Sequence, residues 1–204
     1  MKYKRAFLFG CSYTSFSYPT WANILEKDLN IPVYNWGLNG IGNVAIYTRM
    51  MQCNLINKFN DNDLIIPIWS GWTREDRYSE QGWRDVGNIL NHPEDSKHND
   101  RFFVKNYWSW ENDIIKNATA IITANKMFPV WKNFSIAPID DDSPLYDFYQ
   151  EHLPKIHVWS IDKSSHSYQV DDDHPSIMQH MEFIKKEIYA DLKITMQTST
   201  EESV

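Results

Sequence analysis

The chain has 204 residues, 42% hydrophobic and 23% charged, so it can bury the core of one large domain and is not disordered throughout. Its formal net charge is -7 and it has no basic stripe, which disfavours nucleic acid because phosphate contacts dominate such binding. No apolar stretch approaches the roughly 20 residues that span a membrane. We therefore expect neither nucleic acid nor a membrane as a partner.

The first half of the chain alternates strand and helix patterns. Short apolar runs that end at turn residues indicate buried strands, and longer segments with apolar residues at helical spacing indicate helices. Pro67 interrupts the third run, which predicts a local irregularity because proline donates no ladder hydrogen bond. The predicted strands are 4–10, 32–36 and 64–69, and the predicted helices are 21–29 and 44–59.

The second half repeats the alternation after a polar, irregular segment over 70–99, predicted to be a long loop with short helical pieces. Helices are predicted over 101–127 (best supported over 112–126), 140–153 and 175–193, strands over 134–137 and 156–161, and a polar loop over 162–173. Five strands alternating with helices indicate a parallel sheet covered by helices on both faces, a three-layer α/β/α sandwich. We expect one domain over 1–194, with a tryptophan-rich insert at about 70–110 and a polar tail over 195–204.

The loops at the carboxyl ends of parallel strands are where ligands bind in such a sheet. The first of these loops is 10–14, Gly-Cys-Ser-Tyr-Thr, directly after the first strand. Ser12 on this turn can present its hydroxyl as a nucleophile and its N–H to a developing oxyanion. The alternative is a serine that only caps the following helix.

The second loop, 35–43, contains three glycines before the second helix. Such loops expose backbone N–H groups, which suit an oxyanion or a phosphate. The loop lacks the lysine end of a Walker motif and the spacing of a dinucleotide fingerprint. The alternative is a tight turn that glycine makes at low cost.

A third segment, Asp-Asp-Asp-His-Pro over 171–175, precedes the last helix. Asp171 is spaced to hold the imidazole of His174, which can then accept a proton from a serine. The alternatives are an acidic cap with a surface histidine and a solvated loop. A cation site on the three aspartates has no second ligand cluster to support it.

Together the three segments resemble the SGNH (GDSL-type) hydrolase family. Residues 10–14 match block I of the family, 35–43 match block II with Gly40 at the oxyanion glycine, and 171–175 match the Asp-x-x-His-Pro of block V. The Gly-Cys-Ser-Tyr-Thr form of block I is similar to SGNH-like proteins of tailed phages. The resemblance implies a flavodoxin-like sandwich and covers nearly the whole chain.

The resemblance also implies the roles of the site residues. Ser12 would attack an ester carbonyl, His174 would act as general base and then general acid, and Asp171 would orient His174. The backbone N–H groups of Ser12 and Gly40 would bind the oxyanion. No cofactor and no metal are implied.

The sequence departs from the family at block III, where Trp72 stands in place of the asparagine that supplies a third oxyanion donor. Losing one such donor costs a factor of roughly 10² to 10³ in rate. Arg74 and Arg77 would also suit a substrate carboxylate or phosphate, or would pair with a nearby acidic residue. The acidic candidates for that pairing are Glu75, Asp76 and Asp85, and the candidate substitutes for the missing donor are Asn43, Ser70, Thr73, Arg74 and Arg77. These five residues and Trp72 are also the candidate substrate-binding residues.

Three residue types, tryptophan, cysteine and histidine, can serve either in binding and catalysis or in packing. Five of the nine tryptophans lie at the start of the insert or within it, and they would either stack on sugars or form a satellite hydrophobic cluster, which we favour. These are Trp69, Trp72, Trp83, Trp108 and Trp110. Cys11 is expected to be a small buried residue rather than a nucleophile. The histidines without metal-ligand spacing, expected to be surface or packing residues, are His92, His98, His152, His157, His166 and His180.

The expected function is ester hydrolysis through an acyl-enzyme, with a small-molecule ester, best an O-acylated carbohydrate, as substrate. The alternatives are a catalytically impaired glycan-binding or virion-associated protein of the same fold, and acyl transfer in place of hydrolysis. The N-terminal apolar run is too short for a signal peptide, so we expect synthesis in the cytoplasm, and the phage-like block I adds the virion as a final location.

Overall fold

The computed structural model describes residues 2–84, 87, 101–138, 144–159 and 174–192. The strands are β1 (Arg5–Phe9), β2 (Val33–Asn35), β3 (Asp63–Trp69), β4 (Tyr78–Ser79), β5 (Gly82–Trp83), β6 (Asn133–Ser135) and β7 (Ile156–Val158). Five of them form one parallel sheet in the order β2-β1-β3-β6-β7, and β4 pairs with β5 in a small antiparallel hairpin. The predicted five-stranded parallel sheet is confirmed, with the flavodoxin-like order.

The helices are α1 (Trp21–Asp28), α2 (Asn43–Asn57), α3 (Arg101–Asn106), α4 (Trp110–Met127), α5 (Pro144–Gln150), α6 (Ile177–Ile184), a π-helical turn (Lys185–Tyr189) and α7 (Ala190–Leu192). Within the described residues, no helix is both long and apolar enough to cross a membrane.

The central strand β3 is buried along its whole length and separates two hydrophobic layers. Its side chains alternate between the sheet faces, so that Ile65 and Trp69 pack with α2 and α4, while Ile66 and Ile68 pack with α1 and α6. Strand β1 alternates in the same way. The α/β/α sandwich follows from this burial on both faces.

The sheet positions the site because the direction of strand addition reverses at β1. From β1 the chain adds β2 on one side and β3 on the other, and the loops beyond such a reversal are where open α/β sheets bind ligands. The segments 10–15 and 70–77 lie at this edge of the sheet.

The irregularity expected at Pro67 lies on one side of β3. The pairing with β1 is continuous, with Phe9 opposite Pro67. On the side of β6, an isolated pairing of Ile65 with Val130 is followed by regular pairing only from Ile68. The strand therefore keeps its buried central place while its contact with β6 is shortened.

Several predicted boundaries were wrong. The segment 101–127 is mostly helical as predicted, and it is divided into two helices because Ser109 caps α4 by accepting a hydrogen bond from the N–H of Asn112. The last helix begins at Ile177, since Ser176 is its N-cap. The described part of 70–99 contains the β4–β5 hairpin instead of short helical pieces.

The last two strands of the sheet end earlier than predicted. Strand β6 ends at Ser135 instead of residue 137, and β7 ends at Val158 instead of residue 161. The predicted residues 160–161, the start of the helix over 140–153, the loop over 162–173 and the tail lie outside the described residues.

Candidate active site

Ser12 lies in the turn that follows β1 and is only 2% exposed. The turn is closed by two hydrogen bonds, from the N–H groups of Thr14 and Ser15 to the carbonyl of Cys11, of 2.9 and 3.1 Å. A Cβ on Gly10 would stand 2.1 Å from Oγ1 of Thr14, so only glycine lets the chain turn this tightly here. The predicted position of Ser12 on a turn after the first strand is observed.

Thr14 ties this turn to its surroundings. Its carbonyl accepts hydrogen bonds from Oγ1 of Thr20 and Nδ2 of Asn35, of 2.8 and 2.9 Å, and its Oγ1 accepts one from Nε1 of Trp21. Gly37 packs directly on it, since a Cβ there would lie 2.8 Å from Cβ of Thr14. The loops after β1 and β2 are therefore locked together through one buried threonine.

The loop 35–43, called the glycine loop below, lies beside the Ser12 turn. The N–H of Leu38 donates to the carbonyl of Gly10 over 3.0 Å, which places the loop after β2 against the loop after β1. Gly40 is buried and has φ of 72°, a conformation that disfavours any side chain. Its carbonyl accepts a hydrogen bond of 2.9 Å from the N–H of Gly87 in the insert.

Asp76 caps α2, a role that our sequence analysis did not find. Its Oδ1 accepts from the N–H of Gly42 over 2.6 Å, and its Oδ2 accepts from the N–H of Ala45 over 2.9 Å. Burial raises the pKa of Asp76, although these two N–H groups oppose the shift. A Cβ on Gly42 would stand 2.9 Å from the carboxylate. No local signal reveals this cap, because Asp76 lies 34 residues after Gly42.

The structure removes Asn43 from the candidate substitutes for the missing block III asparagine. Both hydrogens of its amide are used, one on the carbonyl of Ser70 and one on Oδ1 of Asn117, over 3.1 and 2.8 Å. Its Oδ1 accepts from the N–H of Ser70 over 2.7 Å. Asn43 holds the chain at the end of β3 and has no donor left for a substrate.

Two residues at the end of β3, the candidate substitute Ser70 and the block III replacement Trp72, are buried donors. Ser70 is fully buried and Trp72 is 6% exposed. The hydroxyl of Ser70 and the indole N–H of Trp72 find no hydrogen-bond partner within the described part of the chain. Trp72 packs edge to face on Tyr146, with ring centroids 6.0 Å apart. Leaving a buried donor without an acceptor is costly, which sets these two groups apart from the other polar groups at the end of β3.

The other candidate residues of the insert mostly contact neighbouring segments of the protein. Arg74 donates to the carbonyl of Ile41 over 3.4 Å, and the guanidinium of Arg77 lies 4.9 Å from the ring centre of Phe103. Thr73 is half-buried. Of the acidic residues considered as partners of the two arginines, Glu75 binds Lys116 and Asp76 caps α2. Asp85 lies outside the described residues.

His174 reaches the Ser12 turn from the far end of the chain. Its imidazole stacks on Phe16 with centroids 4.1 Å apart, and the ring of Tyr13 lies 5.8 Å away. The hydroxyl of Tyr18 donates to the carbonyl of Pro175 over 3.0 Å and fixes the same junction. His174 therefore lies beside residues that follow Ser12, while its predicted partner Asp171 is outside the described residues.

A second imidazole, that of His180 on α6, is buried behind the first. His180 is 1% exposed, and its ring lies 5.2 Å from that of Trp159, which in turn contacts Tyr13. Burial, and secondarily the charge of His174, lowers the pKa of His180 to about 3. The expectation of a packing residue is confirmed, and the histidine is neutral at physiological pH.

The tryptophans and cysteines take packing roles. Trp69 and Trp72 are buried, and Trp83, Trp108 and Trp110 are half-buried, which favours the satellite cluster over open stacking platforms.

Cys11 and Cys53 are both free and buried. Burial raises the pKa of the Cys53 thiol to about 12. Within the described ranges, no three histidine, cysteine or acidic side chains form a group that could hold a metal ion.

Comparison with known proteins finds similarity among solved structures. No protein-family model and no curated protein matches the chain. Among solved structures, the chain is similar to the crystal structure of a member of the lipolytic protein G-D-S-L family from Veillonella parvula DSM 2008. The identity is 15% and the TM-score 0.48, over 87% of this chain and 92% of that one.

Proposed function

We propose that this chain hydrolyses carboxylic esters through an acyl-enzyme, with Ser12 as nucleophile and His174 as general base. The observation that carries the proposal is the stacking of His174 on Phe16, which brings the one imidazole predicted for catalysis to the turn that holds Ser12. The turn stands at the end of β1, where the sheet order reverses and ligands bind.

The proposed reaction has two halves. The hydroxyl oxygen of Ser12 attacks the ester carbonyl carbon while His174 takes the hydroxyl proton, and the tetrahedral intermediate then expels the alcohol, which receives that proton. Water next attacks the acyl-serine with His174 again as base, and collapse releases the carboxylic acid and restores Ser12. Asp171 orients His174 and stabilises its charged form.

The oxyanion is proposed to bind the backbone N–H groups of Ser12 and Gly40. The bond between Leu38 and Gly10 supports this assignment, because it holds the two loops together. For the third donor, the amide of Asn43 is already bonded to Ser70 and Asn117, so we propose the hydroxyl of Ser70 or the indole N–H of Trp72, the two unpartnered buried donors at the end of β3 among the described residues.

For the substrate we propose a small ester, with O-acylated carbohydrates as the first class to test. This class follows from the family resemblance, and the half-buried rings of Trp83, Trp108 and Trp110 leave only part of each ring to contact a sugar. Hydrolysis and acyl transfer share the acyl-enzyme, so products formed with and without an added alcohol acceptor separate the two.

The deciding experiment combines p-nitrophenyl acetate turnover with labelling by a fluorophosphonate, which reacts with activated serines. We expect the wild type to be labelled, Ser12→Ala to lose all labelling, and His174→Gln to slow it by about 10³-fold or more. Ser17→Ala is the matched control, because Ser17 is exposed in the same loop. A wild type that neither turns over ester nor accepts the label contradicts the proposal.

The engaged amide of Asn43 favours one second candidate, a glycan-binding module of the same fold that has lost catalysis. Such a module would bind immobilised glycans while remaining unlabelled. Retention on a glycan array by both the wild type and Ser12→Ala, without ester turnover by either, would select this function.

A further inference from the structure

The insert after β3 holds the glycine loop at several points. Three residues of the insert make these contacts and form what we call the clamp: Arg74, Asp76 and Gly87. The clamp makes four hydrogen bonds to backbone atoms of residues 40–45. They join Arg74 to the carbonyl of Ile41, Asp76 to the N–H groups of Gly42 and Ala45, and Gly87 to the carbonyl of Gly40.

Within the clamp, Asp76 makes the strongest contacts. Both of its oxygens accept backbone N–H groups at the N-terminus of α2, where the helix dipole favours a negative charge. The N-cap residue Gly42 has no side chain to supply a cap of its own. Asp76 therefore replaces the local capping residue that most helices carry.

The glycine loop depends on contacts from outside the loop to fix its backbone conformation. Gly37, Gly40 and Gly42 carry no side chains that could fix the backbone by packing, and glycine has the largest conformational freedom of any residue. An oxyanion donor is effective only when it is held in place before the charge develops. The bonds from Asp76 begin two positions after Gly40, the residue whose N–H is the proposed donor.

We propose that Asp76 is a positioning residue, which sets the place of the Gly40 N–H through its two bonds to the start of α2. This role rests on the proposed function, in which Gly40 contributes to the oxyanion hole.

The charge around Asp76 is mixed. Glu75, next to it in the chain, disfavours its ionisation, and Lys116 from α4 favours it. Lys116 is itself bonded to Glu75 and Asp113, and Arg74 is bonded to Ile41. Because burial raises the pKa of Asp76, its cap weakens at a higher pH than an ordinary surface carboxylate would.

The test compares Asp76→Ala and Asp76→Asn with wild type. The alanine variant loses both acceptors, and the asparagine variant keeps one. We expect kcat for p-nitrophenyl acetate to fall about 10- to 100-fold in Asp76→Ala and by less in Asp76→Asn, with KM within about threefold, because oxyanion donors act in the transition state. Hydrogen exchange of the amides over 40–45 should accelerate in the same order.

Asp63→Asn is the matched control, since Asp63 is a buried carboxylate bonded to Arg5 at the opposite end of β3. It should lower the unfolding temperature but leave kcat and exchange over 40–45 as in wild type. An Asp76→Ala protein that folds with unchanged kcat, while wild type accepts the fluorophosphonate, overturns the positioning role alone. An unlabelled wild type overturns the proposed function and this role with it.

If Asp76→Ala does not fold, Asp76→Asn decides. A kcat reduced with KM little changed, and faster exchange over 40–45, supports the role. Values equal to wild type in both measurements overturn it.

Discussion

The imidazole of His174 lies on the ring of Phe16, with an interplanar angle of 22° and 4.1 Å between the two centroids. Phe16 belongs to the turn region after β1, and His174 lies just before α6. The contact joins two distant parts of the chain and fixes the plane of the imidazole. The hydrogen bond from Tyr18 to the carbonyl of Pro175 supports the same junction.

Removing the stack should therefore reduce catalysis more than stability. We predict that Phe16→Ala lowers kcat for p-nitrophenyl acetate about 10- to 100-fold, since a displacement of roughly 1 Å in a catalytic group can cost about 10² in rate. Phe148→Ala, at a phenylalanine 63% exposed on α5, serves as the control and should be neutral. Steady-state kinetics of both variants test this, and an unchanged kcat in Phe16→Ala would show that the stack does not position His174.

His180 should make the fold sensitive to acid. Its pKa of about 3 in the folded protein lies below the ordinary value of 6.5, so protonation favours the unfolded chain. Stability is unaffected above about pH 6.5 and falls by about 1.4 kcal/mol for each pH unit below it, until the folded pKa is reached. At about pH 5 the loss attributable to His180 is about 2 kcal/mol.

Urea unfolding at about pH 8 and pH 5 measures this loss. His180→Phe should be less sensitive to the change of pH than wild type by roughly that amount. His152→Gln, at an exposed histidine, should keep the wild-type dependence. Equal pH dependence in wild type and His180→Phe would show that His180 is not buried as a neutral group.

The contact of Gly37 with Thr14 can be tested by a double-mutant cycle. Gly37→Ala places a Cβ 2.8 Å from Cβ and Cγ2 of Thr14, and we predict a loss of about 1–3 kcal/mol in the free energy of unfolding. Thr14→Ser removes the methyl but keeps the hydroxyl that Trp21 binds, so the double variant should lose less than the sum of the single changes. Gly71→Ala, with no atom within 4 Å of its added Cβ, should be neutral. If the free-energy losses of the two single variants simply add in the double variant, the strain caused by Gly37→Ala does not come from its contact with Thr14.

The two thiols should be inert in the folded protein. Both cysteines are fully buried, and burial raises the pKa of Cys53 to about 12. We predict that a thiol reagent at about pH 8 modifies neither in native protein and both in denaturant, and that Cys11→Ala keeps its fluorophosphonate labelling. Rapid native modification of Cys11 would reopen the alternative of a cysteine nucleophile.

The layered fold was predictable because its signals are local. The apolar run of β3, the glycine after β1 and the helical spacing of α1 and α2 lie within a few residues of one another. The break between α3 and α4, inside the segment predicted to be mostly helical, also has a local signal, the N-cap Ser109. The position of Ser12 after the first strand follows from the same local patterns.

Only the tertiary structure decided what surrounds those residues. Asp76 caps a helix that begins far earlier in the chain, Asn43 spends its amide on Ser70 and Asn117, and His174 meets Phe16. Each of these side chains has several chemically acceptable partners in the sequence. The choice among them is made when the sheet and helices pack, because packing brings some polar groups within bonding distance and denies water to the others.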